Sequence, residues 1–119
     1  MKELNEKVTY RGNEYSLVFN FNVMEEIQNE YGTIDHWAEL TEGGKGRKKT
    51  EPDAKAVIFG FTAMLNEGID IDNEENGTDI KPLTHKQVGR MLTEIGLDEL
   101  SKKMQKTVVK STKSNEKNA

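Results

Sequence analysis

Between Tyr15 and Gly32 the chain reads YSLVFNFNVMEEIQNEYG, and within this stretch the apolar period changes. Leu17, Phe19 and Phe21 alternate with Ser16, Val18 and Asn20, the pattern of a strand with its large apolar side chains on one face. Val23, Met24, Ile27 and Tyr31 then recur at helical spacing. Asn22 can cap that helix, with Glu25 as a capping-box acid. Asn20 is an equal candidate, with Phe19 and Met24 placed as a hydrophobic staple. Gly32 suits the left-handed residue that closes a helix. A strand running straight into a helix makes a nucleus that the rest of the chain must cover.

Upstream, Val8 and Tyr10 alternate with Lys7, Thr9 and Arg11, and Gly12-Asn13 follows. This predicts a β-hairpin turning between Arg11 and Glu14. A two-stranded hairpin is marginal alone, so helices or a partner's strands must pack on it. Downstream, Thr33 can cap a short helix with Ile34, Trp37, Ala38 and Thr41 on one side, and Trp37 is expected in the core. Glu42 to Thr50, EGGKGRKKT, reads as an exposed flexible loop. Thr50 opens the clearest helix, with Pro52 in its first turn and Asp53 complementing the dipole. Ala54, Val57, Ile58, Phe61, Met64 and Leu65 form its stripe, Phe59 lies off that stripe, and Gly68 is expected to end it.

Residues 69 to 82 then read as an acidic, Asn-rich loop. Thr84 and Gln87 frame a capping box for a helix with Val88, Met91, Leu92 and Ile95 on its buried face. Leu83 and Val88 are set as its staple. Leu97, Leu100, Met104 and Val108 predict one more helix, and the polar end KSTKSNEKNA is expected to be disordered. The fold class is therefore α+β: an N-terminal β-hairpin followed by four or five short helices, one domain over 1–109 and a disordered basic tail over 110–119.

Charge is unevenly distributed. Residues 1 to 100 carry 11 Lys/Arg against 20 Asp/Glu, a balance of −9, while residues 101 to 119 carry six Lys and one Glu. An acidic body argues against nucleic acid as a partner, because phosphate contacts need Lys and Arg on the binding face. Cysteine is absent, which removes disulfides and thiolate metal sites. The N-terminus has no apolar run of the signal-peptide kind, and no segment is long enough for a membrane span. The expectation is a cytoplasmic protein.

Candidate chemistry is sparse. DNEENG, Asp72 to Gly77, resembles the opening of a calcium loop. The twelfth position falls on Leu83, where a bidentate Glu is required, so no metal is assigned. GGKGRKK, Gly43 to Lys49, lacks phosphate-loop spacing. His36 and His85 have no ligand or nucleophile partners at a telling spacing. Glu25, Glu26 and Glu30 read as a solvated helix face. No catalytic residue, metal or cofactor is expected. Met-rich apolar faces do serve adaptable binding, and the expected partner-binding residues are Phe59, Phe61, Met64, Met91 and Met104, with core packing as their competing role.

The order of elements resembles the tail assembly chaperones of long-tailed phages and prophages of Gram-positive bacteria. Four features carry it: the hairpin VTYRGNEYSLVFNFN entering a helix closed by EYG, the helix AVIFGFTAMLNEG, the helix PLTHKQVGRMLTEIG, and an amphipathic stretch fading into a Lys/Ser/Asn tail. Together they span roughly Val8 to Lys113. The resemblance implies a non-catalytic protein of the bacterial host cytoplasm. Such a protein binds the tape measure protein, keeps it soluble and helps tail tube subunits polymerise around it, often beside a longer frameshifted product. Two other classes compete: a head–tail joining or tail-completion component of the virion, and a small regulatory protein-binding module. The unpaired hairpin edges add an expectation of self-association by sheet pairing.

Overall fold

The computed structural model describes residues 6–43 and 51–117. Strands β1 (Lys7–Tyr10) and β2 (Asn13–Ser16) form an antiparallel pair, and five helices follow: α1 (Phe21–Tyr31), α2 (Ile34–Glu42), α3 (Ala54–Asn76), α4 (His85–Ile95) and α5 (Leu97–Lys117). This is the α+β architecture expected.

The hairpin closes through Arg11 and Gly12, both at positive φ (51° and 82°). Two positive-φ residues make the tight turn whose twist matches a right-twisted hairpin. Val8 pairs with Tyr15, and Tyr10 with Asn13, so Val8, Tyr10 and Tyr15 share the inward face. Pairing fades after Ser16, where Leu17 still donates to Glu6 O (2.9 Å) and Val18 donates to Met64 O on α3 (3.4 Å).

The expected strand therefore stops short of Phe21. Asn20 takes an extended conformation and its side chain accepts from Val23 N (3.2 Å), which settles the cap in its favour over Asn22. Leu17 and Phe19 are buried as anticipated, but Phe21 becomes the first residue of α1 and is 75% exposed. Helical geometry turns it away from the Val23–Ile27 face.

The larger correction concerns α3. Asp53 is its N-cap, accepting from Ala56 N (2.9 Å), so Pro52 precedes the helix instead of sitting in its first turn, and Ala54 is exposed. Gly68 does not end it. The helix continues to Asn76 and closes at Gly77 in the left-handed conformation, so residues 69 to 76 are helix and not loop. From Ala56 to Leu65 it is buried on nearly every side, as expected of a helix surrounded by other elements. It packs against α1, α2, α4 and β2, and it is this helix, not the strand–helix junction, around which the molecule is arranged.

Glycines allow two of those approaches. A Cβ on Gly60 would overlap the Trp37 indole, and one on Gly68 would overlap the backbone oxygen of Ser16. Trp37 is buried as expected, and its Nε1 donates to Ala56 O (2.9 Å). The return from α3 to α4 is held by side chains. Asn66 makes two bonds with the Leu83 backbone (2.7 and 3.0 Å), and Asn73 accepts from Thr78 Oγ1 and Ile80 N. The Thr84–Gln87 capping box is complete. Helix α5 buries Leu100, Met104 and Thr107, and its backbone stays helical to Lys117, where a disordered tail was expected. The loop read over 42–50 is described only at its start: Glu42 ends α2 and Gly43 caps it, while 44–50 lie outside the described residues.

Candidate functional site

The five residues expected to bind a partner are not presented to one. Phe61, Met64, Met91 and Met104 are between 0 and 3% exposed and belong to one continuous core. Phe59 is half-buried, with its ring edge-on to Tyr31 (5.6 Å) and His85 (6.1 Å). The apolar stripes of Phe61, Met64, Met91 and Met104 are satisfied inside the molecule, which is the packing role.

The acidic stretch DNEEN lies on the last turns of α3, which removes the loop geometry that calcium coordination requires. Among the described residues, no group of three or more His, Asp or Glu is placed to hold a metal ion. His36 and His85 are both exposed in the first turns of their helices.

Among the described residues, a cleft of about 400 Å³ lies between three helices. Pro52, just before α3, and Ala54, Val57 and Ile58 at its start form one side; α4 supplies Gly89, Leu92 and Thr93; the joint into α5 supplies Gly96 and Leu97. Val57 and Leu92 are buried core residues, so the cleft floor is the core itself. Gly89 keeps the wall low: even an added Cβ would meet only Ile58 Cδ1, at 3.6 Å. Gly96, at φ 111°, turns the chain from α4 into α5 with no spacer, and leaves Leu97 38% exposed.

The lining has one side-chain hydroxyl, and it is already engaged. Thr93 Oγ1 donates to Gly89 O (3.0 Å) within α4. Sites for small molecules combine apolar walls with a few converging polar groups that orient the ligand. This cleft has the walls, with Thr93 and backbone groups as its polar surface. Its neighbours in sequence include the exposed acids Glu51, Asp53 and Asp98. Lys55, also adjacent, is paired with Glu30 (3.0 Å), which raises the pKa of the Lys55 ammonium.

Near the hairpin turn, Arg11 meets Glu94 of α4 at 2.7 Å and lies over the Tyr10 ring at 5.2 Å. The bond from Arg11 holds the Glu94 carboxyl below its usual value. Both partners are exposed, so this pair orients the turn more than it stabilises the fold. The outer edge of β1 is short. The antiparallel alternation points Lys7 and Thr9 outward, and Lys7 O already accepts from Lys103 Nζ (2.8 Å).

Reasoning from the sequence overlooked Ile58, Gly89, Thr93 and Leu97 as a group. Leu97 carried a usable signal: an apolar residue directly after a helix-ending glycine is forced to a corner. No protein-family model, no curated protein and no solved structure matches this chain.

Proposed function

We propose that this chain is a non-catalytic tail assembly chaperone of a long-tailed phage or prophage, acting in the cytoplasm of the bacterial host. It binds the helical tape measure protein, keeps it soluble and promotes polymerisation of tail tube protein around it. The observation that carries the reading is the cleft between α3, α4 and α5: mainly apolar, floored by the core, with Thr93 as the one polar side chain of its lining. Such a surface suits the apolar side chains of a partner helix. A long helix with an uncovered apolar stripe aggregates in water, and covering that stripe is what a carrier of this kind does. No helix among the described residues is long and apolar enough to cross a membrane.

The test is co-expression with the tape measure protein. The wild-type chain brings the partner into the soluble fraction and co-purifies with it. Leu97→Glu, at an exposed position in the first turn of α5 where an acid is compatible with the helix, keeps the fold and loses the complex. An insoluble partner in both cases, together with this chain in purified particles, would overturn the reading in favour of a virion component.

A further inference from the structure

Two charged ridges of opposite sign lie on different helices. The first joins Glu25 and Glu26 of α1 to Glu67 and Asp70 of α3. Asn20 and Asn22 both donate to Glu67 Oε2 (2.8 and 3.0 Å), which ties the start of α1 to α3 and sets Phe21, 75% exposed, beside these carboxylates. Partial burial raises the pKa of Glu26, and the neighbouring charges of Glu67, Glu25 and Asp70 raise it further. Among the described residues, the charges that act on Glu26 are those of Glu67, Glu25 and Asp70, all negative.

The second ridge is on α5. Leu100, Met104 and Thr107 turn inward, which leaves Lys102, Lys106 and Lys110 at four-residue spacing on the outer face. Val109, 53% exposed, is beside them. Lys110 reaches Glu6 at 3.5 Å. No carboxylate stands three or four residues from Lys106 or Lys110, whereas Lys102 has Asp98 and Glu99 at those spacings, so the helix can answer only the first lysine of its stripe. Helix α5 packs mainly on α4.

We propose that copies of this chain associate head to tail, the α1/α3 acidic ridge of one docking on the α5 lysine ridge of the next, with Phe21 and Val109 as apolar anchors inside the two charged frames. The contact is heterologous, so it generates a ring if the rotation closes and a filament if it does not. None of its residues lines the cleft.

The test is sedimentation of the full chain at about 50 mM and about 500 mM salt, conditions that differ several-fold in how far charges act. The expected result is association at low salt that dissociates at high salt. Glu25→Lys with Glu26→Lys cancels the net charge of the acidic ridge; Lys102→Glu with Lys106→Glu turns the lysine ridge net acidic. Each double variant alone needs at least about ten-fold higher concentration to associate, a loss of about 1.4 kcal/mol. Mixed together they pair again, a recovery that misfolded chains cannot give. Phe21→Ser weakens association without touching charge, and circular dichroism checks each fold. A wild-type chain that stays monomeric at low salt overturns the proposal. So does association unchanged in either double variant, which would point to the hairpin edge. Failure of the mixed variants to pair, with loss of heparin retention in the lysine variant, would also overturn it and make α5 a polyanion surface.

Discussion

Tyr31 carries a conflict that a single atom resolves. Its ring packs edge-on against Phe59, yet its hydroxyl is buried with no hydrogen-bond partner among the described residues. A buried polar group without a partner costs about 1–3 kcal/mol, and removing it returns that cost. Tyr31→Phe should therefore raise stability by about 1 kcal/mol in chemical denaturation, the reverse of an ordinary core substitution. Gly68 is the opposite case. Alanine is the better helix former by about 1 kcal/mol, yet its methyl would overlap Ser16 O, a backbone atom that cannot rotate aside. Gly68→Ala should destabilise by about 2 kcal/mol net, because overpacking outweighs propensity. Glycine at this position was legible in the sequence as a punctuation mark, and was read as the end of α3. A helix-breaking glycine and a glycine that admits a neighbouring backbone are the same letter; only the partner on β2 distinguishes them. Phe21 was misread for a related reason. Alternation continued through it, but the cap at Asn20 reset the period one residue earlier.

At the level of elements, the signals that worked were those with a chemical partner close in sequence: the Arg11–Gly12 turn, the Thr33 cap and the Thr84–Gln87 box. Those that failed depended on contacts distant in sequence. The run from Asp70 to Glu75 looks too acidic for the end of a helix, since negative charge there opposes the dipole. It stays helical because Asn66 and Asn73 clip the returning segment along the same helix. Asn66 bonds both the N–H and the C=O of Leu83, supplying the pairing that a strand neighbour would. Asn66→Ala leaves both backbone groups unpartnered and should cost about 2 kcal/mol. Hydrogen exchange should locate the added opening in residues 77–84 and the last turns of α3, not in the hairpin. The cleft was illegible for the same reason: its walls come from the start of α3 and the end of α4, and no pattern local to either shows that they meet.

Over the whole molecule, the separation of charge has consequences for stability as well as for association. The pKa of Glu26 is raised in the folded chain, so ionising it opposes folding. The favourable contribution of its protonated form is complete below the unfolded-state value and is lost as pH rises through the folded-state value. Above the folded-state value the carboxylate opposes folding, so Glu26→Gln should raise the melting temperature there. The advantage should shrink as pH falls below the unfolded-state value, where both states carry the protonated carboxyl. An equal gain at both values would show that charge is not the cause.

Coverage of a tape measure helix by the apolar cleft is the central claim. It is tested most directly by hydrogen–deuterium exchange on the full chain, free and in its co-purified complex with the tape measure protein. The account predicts new protection concentrated in residues 54–58 and 89–97, with the hairpin unchanged. Protection confined to the hairpin, or a stable complex with no change around Leu97, would contradict it.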